Sequence, residues 1–246
     1  MDKVKITLIK MGRIDHLVNF KKIKKWQSKI FEIVEIQCKE NLPNSSIDDG
    51  FLDQKFTKDS LGKLIKCPQN SDIAVAITSC RFIDNFYLHR IGGKEVGLSL
   101  YGINEILDSQ NISMENFIVN QLYYVSTLSK IVDIIKNEEV YDIVHRDTRG
   151  CLFDMNGDRT DIIHNTEKPI ICDDCKGKIK QSQVSQDLLP ILEKELKKIK
   201  KPFLLKVELY IKKYPLISMI ISAIIAISIN AVFGLIWKLI MLCVEK

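Results

Sequence analysis

The chain has 246 residues, with 36 Lys and Arg against 31 Asp and Glu for a formal net charge of +5, and 46% of it is hydrophobic. Seven cysteines, an odd number spread unevenly, exclude a simple disulfide framework and read better as reduced thiols or metal ligands. One charge-free run, Leu216 to Trp237, excludes a plainly soluble protein and leaves length ahead of it for one domain with a sizeable core.

Met1 to Lys10 alternates charged and apolar residues and lacks the long apolar core of a secretory signal, so it reads as a first strand. Short-period apolar runs predict strands at Val4 to Ile9, Ile30 to Ile36, Asp72 to Thr78, Phe86 to Ile91 and Glu95 to Tyr101. Helical spacing predicts helices at His16 to Lys29, Lys58 to Lys66, Asn104 to Leu107 and Ser113 to Lys136, the last capped by the Ser113 hydroxyl. Gly92 and Gly93 sit where a hairpin turn joins the last two strands. The pattern is that of an α+β or α/β sheet domain. Cys38, Cys67, Cys80 and Cys243 are expected to be buried or membrane-embedded packing residues.

The sharpest chemical signal is His145, Cys151, Cys172 and Cys175: a Cys-x-x-Cys pair closes a loop that a His and a Cys open upstream. Thiolate and imidazole donors suit Zn²⁺, and four protein ligands leave no open position for water, which makes the expected site a structural zinc knuckle. His164 is a rival for the fourth ligand. A thioredoxin-like role for the Cys pair calls for a helix start after a strand in a βαβ pattern. Ordinary core cysteines are a further alternative, disfavoured by the neighbouring Asp173, Asp174 and Lys176.

The segment Cys151-Leu-Phe-Asp-Met155 followed by Cys172-x-x-Cys175 resembles the C-terminal zinc segment of archaemetzincins. The strand Gly97 to Tyr101 and the long helix after it fall where a metzincin places its edge strand and active-site helix, and the resemblance spans about Asp72 to Lys180. It implies a metzincin-like α/β/α fold with a mixed sheet over residues 1–180, with the knuckle at 145–175. The family's signature His-Glu-x-x-His-x-x-Gly-x-x-His is replaced here by Asn116-Phe-Ile-Val-Asn-Gln-Leu-Tyr-Tyr-Val-Ser126. Two imidazoles one turn apart hold a hydrolytic zinc and the glutamate between them is its base, so without all three no metal-bound hydroxide forms. Nucleophile-elbow, phosphate-loop and dinucleotide motifs are also missing, and Cys80 beside Arg81, with His89 as a candidate base, reads as strand-end packing. The chain is expected to be a non-enzyme, with a residual metallopeptidase as the alternative.

Arg81, Arg90, Lys94, Arg146 and Arg149 fall near predicted strand ends and the zinc loop, where they could hold a nucleotide or short oligonucleotide; a solvated basic face is the bland alternative. Residues 181–214 read as a basic amphipathic linker helix with Leu188, Leu189, Leu192, Leu196 and Ile199 on one side, a first turn near Pro190 and an interruption at Pro202. Such a helix can pack between subunits or lie on membrane lipid.

Residues 215–244 read as a transmembrane helix, with Pro215 in its first turn. Lysines crowd its N-terminal side, from Lys194 to Lys213, and only Lys238 and Lys246 follow, which places the bulk of the chain in the cytoplasm. Ser218, Ser222, Ala226, Asn230 and Gly234 recur every fourth residue, a stripe that lets copies of the helix approach closely and form a homo-oligomer.

In layout alone, a small cytoplasmic sensor with a C-terminal span resembles the transmembrane effectors of bacterial anti-phage systems, the Hailong type first among them. That resemblance implies a single-pass protein of the bacterial inner membrane. Its ligand would come from a partner nucleotidyltransferase and would control an oligomeric ion channel. A membrane-tethered, inactive metallopeptidase-like scaffold that recruits a protein is the alternative.

Overall fold

The computed structural model of the protein describes residues 2–42, 55–131, 143–182, 184–199, 207 and 210–244. The chain forms two units, Met1–Lys200 and Lys201–Lys246. The first is a body built on a five-stranded mixed sheet. Its strands are β1 (Val4–Met11), β2 (Phe31–Lys39), β4 (Ile73–Thr78), β6 (Leu88–Arg90) and β7 (Glu95–Ser99), in the order β2-β1-β4-β7-β6. All neighbours run parallel except β6 and β7. Those two form the expected hairpin, with Gly92 at φ +82, a backbone conformation that a side chain would strain. A second, two-stranded sheet pairs β3 (Lys55–Phe56) with β5 (Arg81–Phe82).

The period-2 pattern of the inner strands sorts their side chains into two cores. Ile6 and Leu8 of β1, Ile73, Val75 and Ile77 of β4 and Val96 and Leu98 of β7 share the larger core. Into it pack α3 (Ile103–Ser109), α4 (Met114–Ile131) and α7 (Leu188–Leu196). On the opposite face, Ile9, Met11, Ala74 and Ala76 meet Phe56, Phe82 and Leu61 of α2 (Lys58–Leu64). Small residues on this face let the layer approach. A Cβ on Gly97 would lie 3.3 Å or less from Leu61, Phe82 and Ile91 side chains. Every residue of β4 is buried, as befits the middle of a sheet covered on both faces.

Several elements differ from their predicted extents. The helix expected over His16 to Lys29 shrinks to α1 (Phe20–Lys24), where Asn19 Oδ1 accepts from Lys22 N–H and caps the start. Ser28 ends that stretch by turning inward to accept amides from Ile30 and Phe31. The Ser113 cap is present, with Asn116 N–H donating to its hydroxyl at 3.3 Å. Helix α4 is buried almost all round, and polar Asn116, Asn120, Gln121, Ser126 and Thr127 are buried with it. Its predicted continuation over 132–136, and the interruption at Pro202, lie outside the described residues. Cys38 is exposed, against expectation, because the outer strand β2 shows it to solvent; Cys67 and Cys80 are half-buried.

The body extends to Lys200 and includes α7, whose Leu188, Leu189, Leu192 and Leu196 are all buried in the larger core. Within the second unit, α8 (Pro215–Val244) is one continuous helix of 30 residues. Its window Pro215–Gly234 is long and apolar enough to cross a membrane, and none of that window is buried. Ser218, Ser222 and Ser228 bond back to the carbonyl four residues earlier at 2.8–2.9 Å, which satisfies their hydroxyls within the helix.

Candidate metal centre and adjoining cleft

His145, Cys151, Cys172 and Cys175 come together, with one ligand atom of each within 4.8 Å of the others. A short loop ladder positions the first two. His145 N–H donates to Phe153 C=O, Met155 N–H returns to His145 C=O, and Leu152 N–H bonds Ile170 C=O at 2.8 Å. Gly150, at φ +72, makes the bend just before Cys151, and a Cβ there would sit 3.3 Å from the His164 carbonyl. Cys172 and Cys175 span the first turn of α6 (Asp173–Gln181), where Cys172 occupies the N-cap position. The pair thus does begin a helix, as a redox motif would, but no named strand leads into it, and a third thiol and an imidazole converge on it.

The imidazole is oriented for ligation. Its Nδ1 faces the Asp147 carbonyl at 2.9 Å and Asp154 Oδ1 at 3.2 Å, while Nε2 lies 3.5 Å from Cys172 Sγ. An Nδ1–H held by oxygen leaves the Nε2 lone pair toward the thiols. Asp154 also binds the loop together, because its Oδ2 accepts the N–H groups of Arg149 and Cys151 at 3.0 and 2.9 Å. His164, on the short helix α5 (Ile162–Glu167), is exposed and outside the group.

The electrostatics are those of lone pairs crowded together. The Cys175 thiol and the Cys172 amide, which points at Cys151 Sγ from 3.4 Å, bring Cys151 down to about 5. Its neighbour Cys151, together with burial, pushes Cys175 far above the usual thiol range. One thiol ionises readily and the next resists, the behaviour that a shared positive ion relieves. The donor set therefore fits a metal ion.

A second buried ionic cluster holds α7 to α4 and to the segment just ahead of β2. Glu195, 3% exposed, accepts from Ser28 Oγ at 2.6 Å, Lys29 N–H at 2.9 Å, Tyr123 Oη at 3.0 Å and Lys198 Nζ at 3.2 Å. Trp26 Nε1–H donates in turn to Tyr123 Oη at 2.9 Å. Burial alone would raise the carboxyl's pKa, but these donors outweigh it and leave the net shift downward.

Beside the metal cluster, a cleft of about 350 Å³ opens between β6, α4 and the Leu152–Met155 loop, with Arg90, Gln121, Tyr124 and Lys58 among its walls. Of the five predicted ligand-binding residues, Arg90 alone lines this cleft. Arg81 stacks over Tyr101 and donates to Asn85; Lys94 sits at the β6–β7 turn and Arg146 is exposed beside His145. Arg149 is held between Asp147 and Asp174. Lys58, Gln121, Tyr124, Asp154 and Glu195 were not singled out from the sequence. Asp154 lay inside the quoted Cys-Leu-Phe-Asp-Met segment, and Glu195 falls in the leucine stripe of its helix, where an acidic residue is a legible anomaly.

No family model matches the chain, and no curated protein matches it. Among solved structures, an archaemetzincin from Methanopyrus kandleri is similar at 15% identity, over 79% of this chain and 96% of that one, with a TM-score of 0.44.

Proposed function

We propose that this chain is a non-enzymatic, membrane-anchored binding protein. Its body lies in the cytoplasm of a bacterial cell and α8 crosses the inner membrane. Zn²⁺ is held by His145 Nε2 and the sulfurs of Cys151, Cys172 and Cys175. Bonds of about 2.0–2.3 Å to a tetrahedral zinc separate ligand atoms by roughly 3.5–3.8 Å, which suits the His145–Cys172 spacing of 3.5 Å. Four protein donors give this ion a structural part: it ties residues 143–155 to α6.

The observation that carries the membrane part of this reading is α8 itself, 30 residues long, with no burial over its apolar window and Asn230 near its middle. Asn230 is exposed and has no partner among the described residues. A primary amide in hydrocarbon needs a second helix or water, which supports self-association through the Ser218, Ser222, Ala226, Asn230, Gly234 stripe. On this reading copies of α8 assemble into an ion path. A nucleotide or oligonucleotide signal from a partner nucleotidyltransferase, bound by the body, controls that path in defence against phage.

The test is reconstitution of the full chain in liposomes with an ion-leak readout. Leak that Asn230→Leu changes supports the reading. A detergent-solubilised monomer without leak rejects the channel, and full function with a polyleucine span would favour a scaffold that only recruits a partner.

A further inference from the structure

The cleft between β6, α4 and the metal-tied loop has the composition of a small-molecule site. Its volume of about 350 Å³ lies at the lower end of ligand pockets. Its cations are available. Lys58 on the rim is exposed, and half-buried Arg90 lines the cleft with a buried Nη1 that has no hydrogen-bond partner among the described residues, an arrangement that buried donors rarely tolerate unless something supplies an acceptor.

Each acidic group of the same walls has one oxygen held by a donor of the chain. Asp84 accepts from His89 Nε2 at 2.9 Å, and Asp154 Oδ2 holds the two loop amides. Its two cations and two carboxylates balance in formal charge, but Asp84 and Asp154 face donors of the chain whereas Arg90 Nη1 faces no acceptor among the described residues. Its rim presents an aromatic face as well: Phe86 is 47% exposed, unusual for a ring that large, and stands edge-on to His89 with centroids 6.3 Å apart. Gln121 of α4, which is 4% exposed, lines the floor and offers both a neutral donor and a neutral acceptor.

We propose that this cleft binds a small molecule in which one compact oxyanion, a phosphate or a carboxylate, is joined to a planar ring. The oxyanion binds Arg90 and Lys58, the ring lies against Phe86, and Gln121 reads the ring's edge. Guanidinium–oxyanion pairing and ring stacking are independent contributions, so a molecule must carry both to bind well. A volume of about 350 Å³ suits one ring and one oxyanion, the size of a single nucleotide unit. The proposal rests on the reading of the body as a ligand-binding unit and gives it a site and a ligand size.

The test is titration calorimetry on the full zinc-loaded chain in detergent. The probes are adenosine 5′-monophosphate, adenosine, inorganic phosphate and 4-hydroxybenzoate. Binding of the nucleotide or of the aromatic carboxylate at one per chain is expected, and which of the two binds more tightly tells phosphate from carboxylate. Arg90→Ala should weaken it about tenfold or more, the loss of one charge-assisted hydrogen bond. Phe86→Ala should weaken the ring-bearing probes and leave inorganic phosphate unchanged.

Should Arg90→Ala melt differently in the absence of probe, the surface variant Lys58→Ala decides instead, with a loss of about threefold or more expected. Binding of adenosine as tight as that of its monophosphate, binding indifferent to both cation variants, or no binding by any probe overturns the proposal. Ligand binding without any effect on liposome leak would leave the cleft assigned and reject only the channel.

Discussion

The body contains two buried ionic knots that are built in opposite ways. Around Glu195, every lone pair of a buried carboxylate faces a donor supplied by the chain: a hydroxyl from Ser28, another from Tyr123, an amide at Lys29 and the Lys198 ammonium. Around Cys151, three sulfurs and an imidazole nitrogen face each other, and the chain adds the Cys172 amide, the Arg149 guanidinium and the Ile143 carbonyl at the sulfurs. The first knot is complete as folded. The second gathers four donors of the kind a metal ion takes; with zinc bound, as proposed, that ion would tie residues 143–155 to α6, whereas the α7 contact needs none.

The comparison is broken most severely at the metal cluster. Cys175→Ser, or treatment with a strong chelator, should abolish metal binding and lower the melting temperature of the body, since a structural zinc contributes on the order of 10 kcal/mol in small domains. Calorimetric melting with and without added zinc checks this, and only the parent chain should respond to the metal. Next in size is Glu195→Ala, which leaves Ser28, Tyr123 and the Lys29 amide without an acceptor. A loss of about 3–5 kcal/mol is expected from chemical denaturation, and it should not depend on zinc.

The two knots also separate by pH. Because the folded-state pKa of Glu195 is lowered, its contribution is complete above its unfolded value near 4.5 and is lost as pH falls through the depressed folded value. Glu195→Gln should therefore remove stability at neutral pH and little at the acid end, a difference that urea melts at both pH values detect. A smaller effect is expected at Asp154, which orients His145 from outside the ligand set. Asp154→Asn should weaken zinc by about 10–100-fold in a competition assay and retain the fold at saturating metal. His164→Ala should change neither quantity. Smallest is Asn230→Leu, which should weaken self-association by roughly 1 kcal/mol in detergent, read by equilibrium sedimentation.

What was legible in the sequence follows the range of the interactions involved. Strand and hairpin signals are local, and Val4, Ile73 and Gly92 each fall in the predicted kind of element. The metal cluster was legible because thiol and imidazole spacing is itself a code, and the structure brings together the four residues that spacing picked, with His145 in place of His164. The long first helix was overestimated because Ser28 is claimed by Glu195, 167 positions away, and no local pattern encodes that pull. Among the basic residues, proximity in sequence misled for a similar reason. Arg149 lies between two carboxylates, and the cleft is assembled from α2, β6, α4 and the Leu152–Met155 loop, which are far apart in sequence.

The most direct measurement is the metal content of the purified full chain by native mass spectrometry, alongside Cys172→Ser. The account predicts one zinc per parent chain, removed by that substitution together with part of the body's thermal stability. A metal-free parent chain that melts at the same temperature with and without zinc would contradict it.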